Sequence, residues 1–117
     1  MQRYGSFWLV ARITGPTHNS LLIDLREDEP ADSMIVAAEP TDGEVKQGSL
    51  DPTKIKQSLL EGIQRSNEEF GTRFWAKEAR YFEGDTPGES VYAFLAERVI
   101  RHIVEGRAEP SGHRDDP

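Results

Sequence analysis

Apolar and polar positions alternate with a period of two over residues 4–14 and again over 19–26, which is the pattern of half-buried strands. In the first, YGSFWLVARIT, Phe7, Leu9, Ala11 and Ile13 fall on one face, and Ser6, Trp8, Val10 and Arg12 on the other. In the second, NSLLIDLR, Leu21, Ile23 and Leu25 stand against Ser20, Leu22, Asp24 and Arg26. The short connection opened by Gly15-Pro16 predicts an antiparallel hairpin. An acidic loop containing Pro30 then leads to a third short strand over 33–39, SMIVAAE. The expectation is a three-stranded meander with one apolar face in need of cover.

Two helices supply the cover. Asp51-Pro52 opens the first, with Asp as N-cap and Pro at the first helical position. Ile55, Leu59 and Ile63 recur every four residues, Phe70 completes the stripe, and Gly71 stands where a C-terminal stop belongs. Gly62 costs the helix about 1 kcal/mol relative to Ala, a cost consistent with close packing on a strand. Thr86-Pro87-Gly88-Glu89 predicts a capping box for the second helix. Its apolar face is Val91, Leu95, Val99 and Ile103, widened by Phe94, Ile100 and Val104, and Gly106 is the expected stop. Residues 72–82 between the helices read as a strand, with Phe74 and Ala76 on one side and Trp75, Ala79 and Tyr81 towards the other. The order is β-β-β-α-β-α, an α+β two-layer sandwich.

The chain has 117 residues, a formal net charge of −7 and no cysteine. That length suits one domain, read here as residues 1–106. The segment 107–117 has one apolar residue, Ala108, and is expected to be a disordered tail. Residues 40–50 form a loop long enough to be functional. Without cysteine there is no disulfide scaffold, thiolate zinc site or cysteine nucleophile. No apolar run is long enough to span a membrane, and residues 1–5 carry no apolar signal region. The expected setting is cytoplasmic.

The negative charge opposes nucleic-acid binding, which draws on a basic face. Basic residues gather modestly, as Arg73, Lys77 and Arg80 in one segment and Arg98, Arg101 and His102 in another. Alternation places Arg73 and Lys77 on one strand face and Arg80 on the other, so they form no continuous stripe. His18, His102 and His113 show no metal-ligand spacing, and His102 late in a helix suits the helix dipole. There is no G-x-S-x-G elbow, phosphate loop or G-x-G-x-x-G. The acids Glu27, Asp28, Glu29 and Asp32 lack the spacing and glycine of a calcium loop. No cofactor is expected. Trp8 and Trp75 lie in different strands and, if exposed together, form an apolar interaction patch.

The order of elements and several short stretches resemble domain IV of bacterial translation elongation factor G. Tyr4-Gly5 stands before FWLVARI as a Tyr-Gly pair opens the first strand in that family. DPTKIKQSLLEGIQRSNEEFG matches its proline-led helix, and RFWAKEARYF, EGD, GES and VYAFLAERVI follow in order, with Ala93-Phe94 at the family's small-residue–Phe position. The likeness covers about residues 4–105. It implies a ribosomal protein S5 domain 2-like fold, with a four-stranded sheet under two helices on one face and a left-handed β-α-β crossover. The resemblance also marks departures. The family's basic, glycine-rich loop before the Tyr-Gly pair has no counterpart in Met1-Gln2-Arg3, residues 83–87 carry no histidine, and the GTPase domain is absent.

The resulting expectation is a stand-alone, non-catalytic, translation-related domain that binds a protein, associates with the ribosome, or self-associates. Trp8, Trp75, Arg73, Lys77 and Arg80 are its candidate interaction residues. An RNA-binding domain on the same scaffold is the alternative, with RNA affinity weak at best, and a small enzyme is a third reading.

Overall fold

A computed structural model describes residues 1–14, 17–30, 34–39, 50–83, 85–86 and 88–108. It is an α+β architecture: β1 (Gln2–Tyr4), β2 (Phe7–Thr14), β3 (Thr17–Arg26), β4 (Ile35–Glu39), α1 (Pro52–Phe70), β5 (Trp75–Phe82) and α2 (Val91–Ala108). The strands form one mixed sheet in the order β1-β2-β3-β5-β4. All pairs are antiparallel except β4 with β5, which is parallel.

Two features depart from the expected four-stranded sheet. The first alternating run is broken into β1 and β2 by a two-residue turn, with Tyr4 paired to Phe7 across Gly5-Ser6. Gly5 has φ +59°. A positive φ on the first central residue alone is the type II′ pattern, whose backbone twist suits a hairpin and favours glycine at that position. The Tyr-Gly pair therefore reverses the chain, and the sheet gains a fifth strand. The second departure is the meander. β4 lies at the far edge beside β5, joined to it through α1, because parallel neighbours need a long crossover connection.

Register assigns the faces. Trp8 pairs with Ile23, which pairs with Ala79, which pairs with Val36; Val10, Leu21, Tyr81 and Ala38 form the next row. Both rows face the helices and pack with Ile55, Leu59 and Ile63 of α1 and Tyr92, Leu95, Val99 and Ile100 of α2 in one core. Fully burying an aliphatic side chain stabilises the fold by about 1.5–3 kcal/mol, so this layer supplies most of the driving force. β5 carries a register shift: Asp24 pairs with Glu78 but Leu25 with Ala76, so Lys77 is the extra residue. The bulge re-phases the strand and puts Ala76, Ala79 and Tyr81 on the helix side together, where simple alternation separates Ala76 from the other two.

The ends of α1 match the sequence reading. Asp51 accepts from the Thr53 amide at 2.9 Å, Pro52 follows, and Gly71 closes the helix in the left-handed region at φ +66°. The start of α2 does not. Thr86 Oγ1 accepts from the His18 amide at 3.0 Å, and Glu89 Oε2 accepts from the Asp51 amide at 2.9 Å, so no capping box forms. The Ala93 amide instead donates to Ser58 Oγ of α1 at 2.9 Å. Gly62 faces helix α2 rather than a strand: a Cβ there would stand 2.9 Å from the Cα and carbonyl carbon of Ala93, and closer to its oxygen. Gly106 does not stop α2, which runs to Ala108. Arg107, assigned by sequence to the tail, is helical, pairs with Glu27 and lies over the Phe74 ring at 5.4 Å. Residues 109–117 and the loop 40–49 lie outside the described residues.

Candidate functional site

Because both helices occupy one face of the sheet, the other face is left without a covering layer among the described residues. Its side chains alternate with the core set. Leu9 pairs with Leu22, Leu22 with Arg80, and Arg80 with Ala37, giving one row across four strands. Tyr4 and Phe7 stand to one side of this row, and Phe82, paired with Glu39, to the other. Tyr4, Phe7, Leu9, Leu22, Glu39, Arg80 and Phe82 line a concavity of about 400 Å³. Further out on the same face, Ile13 is 69% and Ile35 58% exposed. Contiguous exposed apolar surface of this kind marks binding surfaces on soluble domains.

Apolar and charged side chains interleave on this face: β1–β3 contribute Tyr4, Phe7, Leu9 and Leu22 with the Asp24–Arg26 pair, and β5 and β4 contribute Phe82 and Ile35 beside Arg80, Glu78 and Glu39. Arg80 donates through Nε to Glu78 Oε2 at 2.7 Å and through Nη1 to Glu39 Oε2. Two carboxylates hold its guanidinium in the charged form. One guanidinium thus serves two carboxylates. Towards the Gly5-Ser6 turn, buried Asp24 accepts from Arg26 Nε at 2.8 Å and Nη2 at 3.0 Å and from Ser6 Oγ at 3.2 Å. The Arg26 guanidinium holds the Asp24 carboxyl below the ordinary carboxylate range.

A second polar cluster sits at the opposite end of β3. Asp85, only 3% exposed, accepts from Tyr92 Oη at 2.7 Å and from the Ser20 amide at 2.9 Å through Oδ2. Asn19 Nδ2 donates to Thr86 O at 2.8 Å, and the Thr86 amide to His18 O at 3.0 Å. Burial pushes the Asp85 carboxyl up, partly offset by the Tyr92 hydroxyl and Ser20 amide, and burial with the adjacent carboxylate raises the Tyr92 phenol. These bonds satisfy the β3 backbone beyond the end of β5 and fasten the segment before α2. His18 Nε2 lies 3.0 Å from Ser20 Oγ. The Asp85 carboxylate bonds the Ser20 amide, and the nearby His18 imidazole also acts on it electrostatically.

The sequence-chosen residues are dispersed. Trp8 lies on the helix face, packed against the core, with Arg3 over its ring at 4.4 Å and His102 edge-on at 5.4 Å. Trp75 pairs with Arg26 on the opposite face and donates through Nε1 to Asp28 O at 2.9 Å. The two tryptophans therefore do not form a joint patch. Arg73 precedes β5 and lines a separate cavity of about 460 Å³ with Asp28, Glu29 and Pro30. Lys77 is the bulge residue. Arg80 alone of the five reaches the open groove. The residues that sequence reasoning missed are Tyr4, Phe7, Leu9, Leu22 and Phe82; the signal for Phe7 and Leu9 was the apolar character of both faces of their strand. No protein-family model and no curated protein matches this sequence.

Proposed function

We propose that this chain is a non-catalytic, cytoplasmic binding module that docks a protein on its open sheet face, on a scaffold that resembles elongation factor G domain IV. One observation carries the reading: the apolar groove formed by Tyr4, Phe7, Leu9, Leu22 and Phe82 opens to solvent on the face away from both helices. Side chains of this type at the centre of an interface supply most of its affinity, with charged residues confined to the rim. A protein of the translation apparatus is the partner that the family resemblance suggests.

RNA is the second reading, because exposed aromatics on a sheet are platforms for stacked bases. Tyr4, Phe7 and Phe82 have that character. The charge does not: Arg80 is shared by two glutamates, Arg73 lines a separate cavity, and Lys77 is not among the residues that line the groove. A protein partner is therefore favoured. The test is affinity capture from a lysate of the source cell, with and without nuclease, by the natural chain and by Leu9→Ser, Leu22→Ser and Leu60→Ser. Leu60 is exposed on α1, away from the groove, and is the control. Capture is expected to survive nuclease, to be lost in the two groove variants and to persist with Leu60→Ser. Nuclease-sensitive capture, or capture indifferent to the groove, overturns the proposal.

A further inference from the structure

The sheet ends on one side at β4, whose only strand neighbour among the described residues is β5. The Glu39 carbonyl accepts from the Glu83 amide at 3.1 Å, one residue beyond its partner Phe82. Main-chain groups alternate in direction along a strand, so Ile35, Ala37 and Glu39 bond β5 while Val36 and Ala38 turn their amides and carbonyls outward. The strand IVAAE carries none of the devices that guard an edge: it has no lysine, proline or bulge, and its one charge, Glu39, is held by Arg80.

We infer that β4 pairs with β4 of a second copy of this chain, antiparallel about a two-fold axis at Ala37, giving one continuous sheet with five strands from each copy. The register is self-complementary. Val36 meets Ala38 of the second copy as a hydrogen-bonded pair, the same pair recurs across the axis, and Ala37 meets its own copy between them. That central position brings Cα atoms to about 4.5 Å, a spacing that alanine side chains accommodate. Ile35 stands opposite Glu39 of the second copy, so no like charges are opposed along the strands.

An independent feature lies on the same edge. α2 packs over β2 and β3, and α1 over β4. α1 turns Ser58, Gly62 and Arg65 to α2, and Ile55, Leu59 and Ile63 to the core. Leu60, about 100° beyond Leu59, therefore falls on the flank opposite α2, above the β4 edge. It is 49% exposed, the most exposed leucine among the described residues. With strands about 4.8 Å apart and packed helices about 8–10 Å apart, the axis sets α1 about 9–13 Å from its copy, a gap that two leucines fill. Leu60 lies at the middle of α1 as Ala37 does in β4, so the axis that pairs the strands also brings Leu60 against its copy. Lys56 and Gln64 share the flank and face one another across antiparallel helices, so two acidic copies meet there without opposed carboxylates. The contact uses none of the apolar residues of the groove and stands apart from the docking reading.

The test is sedimentation equilibrium of the full chain over about a hundredfold range of concentration, with amide hydrogen exchange at both ends of the range. A reversible dimer is expected, in which the Val36 and Ala38 amides exchange about tenfold more slowly at the high end. Ala38→Pro removes one outward amide and no bond to β5, and Leu60→Glu sets two carboxylates face to face at the axis. Each is expected to weaken the dimer about tenfold or more, with an unchanged circular dichroism spectrum. Leu22→Ser, in the groove, should dimerise as the natural chain does. Should Ala38→Pro fail to fold, Leu60→Glu and the exchange rates decide. A chain that stays monomeric throughout overturns the inference. So does slow exchange of Val36 and Ala38 at every concentration, which means the edge is covered within one copy, or a dimer that tolerates Leu60→Glu. A dimer lost with Leu22→Ser also overturns it, and that outcome alone counts against the docking reading as well.

Discussion

Gly62→Ala sets two physical effects against each other and the structure decides between them. Position 62 lies inside α1, where alanine is favoured over glycine by about 1 kcal/mol from backbone propensity. An added Cβ, however, would stand 2.9 Å from two backbone atoms of Ala93, and ordinary contact begins near 3.4 Å. The Ala93 carbonyl oxygen is closer still, so the helices must separate by more than about 0.5 Å at this point, since backbone cannot swing aside as a side chain can. Overpacking of this kind costs about 1–3 kcal/mol. The shift also strains the buried bond from the Ala93 amide to Ser58 Oγ, one turn earlier on α1; because that amide also donates to Ser90 O, this adds about 1 kcal/mol at most. With that bond weakened rather than lost, the variant is expected to be about 1–3 kcal/mol less stable than the natural chain. Urea unfolding followed by circular dichroism reads this as a lower midpoint at unchanged slope. Gly106→Ala is the matched control, because nothing lies within 4 Å of its added Cβ; it is expected to gain up to about 1 kcal/mol. A Gly62→Ala midpoint at or above that of the natural chain would refute the close approach of α1 to α2.

Other expected outcomes use the same unfolding assay. Leu59→Ala and Leu95→Ala, both fully buried between the layers, should each cost about 2–5 kcal/mol; a loss under 1 kcal/mol in both would mean the helix faces are misassigned. Arg107→Ala removes the pairing with Glu27 and the contact over Phe74, both partly exposed, and should cost no more than about 1 kcal/mol, with the loss shrinking in 1 M salt. Asp85→Asn should gain on the natural chain as pH rises above about 4: a raised folded-state carboxyl stabilises fully below its unfolded value and loses that stabilisation as pH climbs through the folded one. Asp24, held down by Arg26, has the opposite sign and loses its stabilisation on acidification in both proteins, so a stability difference that is constant from pH 4 to 7 would rule out the Asp85 account.

Local rules made α1 legible because its signals are local: an Asp-Pro start, a four-residue apolar repeat and a terminal glycine are all settled by the chain near them. The start of α2 looked equally clear and differed, because Thr86 and Glu89 have partners far away in sequence at His18 and Asp51. A capping box is a competition, and here tertiary partners win it. β1 escaped the sequence reading for another reason: three exposed residues carry no apolar periodicity, and Gly5 inside an alternating run looks like part of a strand until its positive φ is known. The placement of β4 beside β5 depends on pairing across the whole of α1, which no local pattern reports.

The open face was hidden by the same physics that makes it suited to binding. In a strand with one solvated side, the polar set announces the outside; in β2, both Trp8-Val10 and Phe7-Leu9 are apolar, so alternation offers two candidate cores and no means of choosing. The choice falls to register, which sets Val10 opposite Leu21 beneath the helices and leaves Leu9 opposite Leu22 outside. A further local irregularity then sets which β5 side chains join this face. The extra residue Lys77 lets Ala76, Ala79 and Tyr81 share the core side, while Glu78 and Arg80 turn outward beside Glu39. Removing that bulge by deleting Lys77 would leave strand and helix content unaltered yet force either Ala76 or the Ala79–Tyr81 pair off the core. Among the described residues nothing packs on the outer side of β2, and an apolar surface left there costs solubility, which is the physical ground for the proposed docking role.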